Sequence, residues 1–72
     1  MPQFLITNES TEDTLASTDN LQEAIGIARE IARQGQAGDP VSIEREGMTI
    51  RQFVLMADGT VAEQAIARQV KR

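Results

Sequence analysis

Neither cysteine nor histidine occurs anywhere in these 72 residues. That absence removes the two usual staples of a very small domain, a disulfide framework and a zinc held by thiolate and imidazole. A single domain of this length buries only roughly 60% of the surface its unfolded chain exposes. Residues 1–72 therefore have to form one domain stabilised by close packing or by self-association. With no Trp or Tyr, the core depends on aliphatic residues and on Phe4 and Phe53.

The same absence narrows the chemistry. The commonest general base and the strongest nucleophile are both missing. Lys71 is the sole lysine and stands next to the last residue. Ser10, Ser17 and Ser42 have no imidazole to activate them, and the five glycines form no phosphate-cradling loop. Glu44 and Glu46 share one face of an expected strand at a separation of about 7 Å, and this reads as solvated alternating charge. Glu9, Glu12, Asp13 and Asp19 do not follow the spacing of a calcium loop. The expectation is a protein that is not an enzyme, with no cofactor, no metal and no evident small-molecule substrate.

The net charge of −4 is unevenly placed. Residues 1–28 carry Glu9, Glu12, Asp13, Asp19 and Glu23 and no basic residue, whereas Arg68, Lys71 and Arg72 close the chain. This distribution argues against broad nucleic-acid binding, which needs a concentrated basic face. No apolar run approaches the roughly 20 residues of a membrane span. The N-terminal stretch lacks the basic and apolar regions of a secretory signal, so a cytoplasmic location is expected.

Along the chain, Gln3–Thr7 reads as a strand and Asn8–Asp13 as a polar turn of residues that bond their own backbone. Thr14–Ser17 suggests a short return strand, with a long acidic loop as the alternative. Leu21, Ala24, Ile25, Ala28, Ile31 and Ala32 recur with helical spacing, which predicts a helix over Asp19–Gln34. Asp19 with Gln22, or Asn20 with Glu23, can cap its start, and Gly35 can end it. Gly26 inside this helix marks either a close backbone approach or a tolerant exposed position. Val41–Glu46 alternates, with Val41, Ile43 and Arg45 on one face and Ser42, Glu44 and Glu46 on a charged outer one. Glu46-Gly47 suits a tight reversal, and Thr49–Ala57 is expected to return as a strand with a bulge between Ile50 and Phe53; a helix is the competing reading. Beyond Asp58-Gly59, a Thr60–Glu63 capping pattern and helical spacing of Val61, Ala62, Ala65, Ile66, Gln69 and Val70 predict a short helix over 60–71. A DG hairpin leading to a final strand is the alternative.

Gly38, Pro40, Val41, Ile43 and Gly47 give residues 38–56 (GDPVSIEREGMTIRQFVLM) a pattern that locally resembles the Gly-x-Pro-Val-x-Ile-x-x-x-Gly hairpin of Phd/YefM-type antitoxins. That resemblance implies a short, acidic, dimeric DNA-binding protein with a strand, a helix, a hairpin and a toxin-binding tail. The segment before the hairpin departs from the family, being longer and more acidic. The order of elements is also similar to that of small β-β-α-β proteins of bacteria and phages.

The expected fold is therefore α+β, in the order β(β)αββα. A small antiparallel sheet of three or four strands has one main helix packed on a face and a short C-terminal helix. The leading functional expectation is a non-enzymatic module that binds a protein partner or pairs as a homodimer. Its candidate interface is Met48, Ile50, Phe53, Leu55 and Met56, because a strand apolar on both faces needs cover on both. Two alternatives stand beside it. One is an antitoxin-like regulator that docks Arg45, Arg51, Arg68 and the tail on DNA. The other is a phage or mobile-element inhibitor whose acidic 9–23 segment mimics nucleic acid.

Overall fold

The computed structural model describes residues 3–70. They form β1 (Phe4–Asn8), β2 (Asp13–Thr18), α1 (Leu21–Gln34), β3 (Pro40–Arg45), β4 (Met48–Leu55) and β5 (Val61–Gln69). The strands make one sheet in the order β2-β1-β3-β4-β5, with every neighbouring pair antiparallel.

The helix starts where the second capping choice places it. The Asn20 Oδ1 accepts the Glu23 N–H at 3.1 Å, so the helix begins at Leu21 rather than at Asp19. Gly35 closes it by donating its N–H to the Ala32 carbonyl, from an extended rather than left-handed conformation. Ala24, Ala28 and Ala32 form its buried stripe, flanked by Leu21, Ile25, Ile27 and Ile31. Alanine at these three positions lets the helix lie close to Phe4, Ile6, Val41, Ile43 and Phe53, which complete the core from the sheet.

Both later hairpins follow their turn residues. Glu46 and Gly47 have φ of 52° and 77°, the double left-handed geometry of a two-residue reversal whose twist suits antiparallel strands. In the β4–β5 turn the Met56 carbonyl accepts the Gly59 N–H, the Met56 N–H reaches the Thr60 carbonyl, and Gly59 sits at φ 90°. The register of β4 shifts at Ile50 against both neighbours, which is the bulge that its broken alternation requires.

Three expectations are corrected. The sheet has five strands, not three or four, and the C-terminal helix does not form: 61–69 is β5, the DG-hairpin alternative. Residue 71 of that expected helix lies outside the described residues. Thr60 caps nothing; its N–H and Oγ1 both bond the Asp58 carboxylate at 3.0 and 2.7 Å, folding the chain back along β4. A ladder from Met48–Gln69 to Leu55–Val61 then satisfies backbone groups of β4 that would otherwise form a sheet edge. Intrinsic helix preference is worth only tenths of a kcal/mol per residue and yields to such pairing. The third correction concerns β3. Ser42 and Glu44 are buried rather than solvated, and Glu46 has left the strand for the turn.

Gly26 proves to be the exposed case, since a Cβ built there meets nothing within 4 Å. Gly26→Ala is expected to stabilise the protein by about 0.5–1 kcal/mol, read as a higher midpoint in urea denaturation. An unchanged or lower midpoint would mean the helix gains nothing from alanine there.

Candidate functional site

Helix α1 covers one face of the sheet. The opposite face has no second layer among the described residues, yet it is neither apolar nor fully wet. Register places Thr7 opposite Ser42, Ser42 opposite Gln52, Glu44 opposite Thr49, and Thr49 opposite Arg68, so these side chains share that helix-free face. Thr7, Ser42, Glu44 and Thr49 are only 1, 0, 6 and 3% exposed. Polar groups taken this far from water need partners.

Glu9 supplies the one for Ser42, and also bonds Gln52 and Arg68 of the same face. It sits in the β1–β2 turn, tied down by its own N–H to the Pro40 carbonyl at 3.1 Å. The turn is shaped by the Asn8 side chain, whose Oδ1 accepts the Ser10 and Thr11 N–H groups, and by Glu12 at φ 62°. The Glu9 carboxylate accepts from Ser42 Oγ at 2.5 Å, Gln52 Nε2 at 2.5 Å and Arg68 Nη2 at 2.6 Å. One side chain thus ties the first turn to β3, β4 and β5. Burial pushes the Glu9 carboxyl up, but the Ser42 and Gln52 hydrogen bonds and the Arg68 guanidinium outweigh it and hold the pKa below its ordinary value.

Beside this node lies a cleft of about 460 Å³, lined by Thr7, Glu9, Glu12, Glu44, Thr49, Arg68, Gln69 and Val70. The Thr7 Oγ1 is buried at its wall without any hydrogen-bond partner. Among the described residues, no cluster of carboxylates could hold a metal ion. No described helix is long and apolar enough to cross a membrane.

The five residues of the expected interface do not form one surface. Phe53 is wholly enclosed in the core and Ile50 packs against it. Leu55 is half-buried, and Met48 and Met56 are exposed at opposite ends of β4. The helix-free side of β4 presents Thr49 and Gln52 beside Val54, so the strand is not apolar throughout on both faces.

The arginines are dispersed as well. Arg45 lies 5.5 Å over the Phe4 ring, Arg51 reaches Glu63 at 3.9 Å, and Arg68 is held by Glu9. Lys71 and Arg72 lie outside the described residues. Of the acidic segment, Glu9 turns inward to its three donors, while Glu12, Asp13, Asp19 and Glu23 stay exposed.

Sequence reasoning missed this site for an identifiable reason. The alternation of Ser42 and Glu44 against Val41 and Ile43 separates two faces but does not say whether the polar one is covered. The polar 8–13 cluster signalled a turn and not the inward aim of its Glu9.

No protein-family model matches the chain, and no curated protein or solved structure matches it either.

Two outcomes follow from the geometry. Thr7→Val keeps shape and removes the orphan hydroxyl, so it is expected to stabilise the protein by about 1 kcal/mol in urea denaturation. Glu9→Ala strands three donors and is expected to cost about 1–3 kcal/mol at neutral pH. Because the folded pKa of Glu9 is lowered, its contribution is complete above the ordinary value of 4.5 and is lost as pH falls through the folded value. The gap between wild type and Glu9→Ala should therefore close on acidification, and a gap that is constant with pH would contradict the ion-paired role.

Proposed function

We propose that the protein is a non-enzymatic binding module that takes its partner, a protein or a second copy, on the helix-free side of the sheet. The observation that carries this reading is the cleft of about 460 Å³ set among buried polar side chains on a face with no second layer. A volume of that size falls within the range of sites that hold a small group or an inserted side chain. β5 adds a strand-pairing edge beside it. It is the last strand of the sheet, and nothing pairs with its outer side among the described residues.

The electrostatics favour binding over catalysis. A carboxyl poised for acid–base work near neutrality needs a raised pKa. Glu9 is shifted downward and accepts from three donors. Such a group organises a surface and does not move protons at neutral pH.

A photo-cross-linking residue placed at Gln69, on the cleft wall, tests the reading in cells of the source organism. One adduct of defined mass is expected from Gln69, and none from the same residue placed at exposed Gln22 on the helix. Twice the monomer mass would identify self-association, and any other defined mass a separate protein. No adduct from Gln69, or an equal one from Gln22, would remove the proposal.

A further inference from the structure

We infer that the chain pairs with a second copy of itself along β5, the two strands running antiparallel about a two-fold axis at Ala65. The inference rests on reading the protein as a binding module and names its partner. β5 is the longest strand, nine residues, and it stands at the edge of the sheet with most of its length exposed. Edge strands of soluble proteins are commonly blunted by short length, by Pro or by free charge, Lys above all. The β5 sequence VAEQAIARQ contains no Lys, Pro or Gly. Its two charged residues are both drawn back over the chain's own sheet, Glu63 to Arg29 and Arg51, and Arg68 to Glu9. β2, at the other edge, is blunted: it has six residues, opens at Asp13 and lies between exposed Glu12 and Asp19. The longer edge is thus the one left open to pairing.

Three observations favour a second copy as the occupant. The described core has five large side chains, Phe4, Ile6, Val41, Ile43 and Phe53, beside three alanines, and without Cys or His no disulfide or thiolate–imidazole zinc supplements it. A domain this small gains from self-association. The partner strand is already extended and held by its ladder to β4, so pairing orders no new segment. The charges also suit a symmetric register. A two-fold at Ala65 pairs the whole strand, with Val61 opposite the partner's Gln69. Ala62 then meets the partner's Arg68, both on the helix-free side, and Glu63 meets the partner's Ala67, so no like charges stand opposite. A two-fold at Glu63 would set carboxylate against carboxylate. The one irregularity of β5, where Ile66 and Ala67 share the place opposite Ile50, faces the regular Gln64 and Glu63 of the partner subunit rather than its own copy. Pairing about a two-fold uses the same edge of both copies, so assembly closes at two.

The test is sedimentation equilibrium of the purified chain up to millimolar concentration. A reversible monomer–dimer equilibrium is expected, with no larger species. Ala65→Lys sets two ammonium groups opposite each other at an exposed position and should raise the dimer Kd roughly fivefold, less in high salt. Leu15→Lys, at an exposed position on β2, should leave it unchanged. Because the chain has no cysteine, a single introduced thiol reports the register. Directly opposite residues of antiparallel strands have Cα atoms about 4.5–5.5 Å apart, within reach of a disulfide. Ala65→Cys should therefore oxidise to a covalent dimer, and Leu15→Cys should not. A chain that stays monomeric at every concentration, a dimer weakened equally by Leu15→Lys, or an Ala65→Cys chain that oxidises no faster than Leu15→Cys would overturn the inference. If the purified chain is monomeric and the cross-linker at Gln69 still captures a separate protein in cells, self-pairing falls and the binding-module reading stands.

Discussion

One helix has to serve five strands, and most of the structure follows from that constraint. The alanine stripe of α1 seats it on Phe4, Ile6, Val41, Ile43 and Phe53, and these residues make the described core. Nothing comparable covers the other side of the sheet among the described residues. An apolar surface there would be a standing invitation to aggregate. The chain instead places Thr7, Ser42, Glu44, Thr49 and Gln52 on that side and supplies hydrogen bonds from within the fold.

Glu9 is the means by which this polar face is closed. Its carboxylate gathers donors from β3, β4 and β5, strands that are distant from it in sequence, and so fixes the first turn over the sheet. Charge-assisted hydrogen bonds of this kind are stronger than neutral ones, and they gain further when partly withdrawn from solvent. The Arg29–Glu63 and Arg51–Glu63 pairs make a looser counterpart on the helix side, joining α1 and β4 to the edge strand. β5 is thus held by two ion pairs on the helix side and one on the other, as well as by its ladder to β4. These exposed pairs add orientation more than stability.

The contrast between the two faces also explains why the site is compact. A polar cluster that is largely but not wholly satisfied leaves its deficit at defined places, here the Thr7 hydroxyl on the cleft wall. Glu9, held by three donors, is a preorganised part of that recess.

Local signals carried much of this fold. The 3.6-residue spacing from Leu21 to Ala32, a cap at Asp19 or Asn20, the Glu46-Gly47 reversal and the broken alternation around Ile50 each act over a few residues, and each is legible without knowing the rest of the chain. The absence of Cys and His likewise bounded the chemistry by itself. Other features were decided only in three dimensions. Residues 61–69 have helical spacing yet form a strand, because the turn at Asp58-Gly59 brings them to an open edge of β4 where a whole ladder outweighs small per-residue preferences. Ser42 and Glu44 look like an outer face yet are buried, Ser42 because the Glu9 carboxylate reaches over to its hydroxyl. Phe53 looked available for a partner yet fills the core. Residue pattern determined which elements could form and which side of each was polar. Only the tertiary structure decided which polar side would be covered, because burial depends on what the rest of the chain brings opposite it.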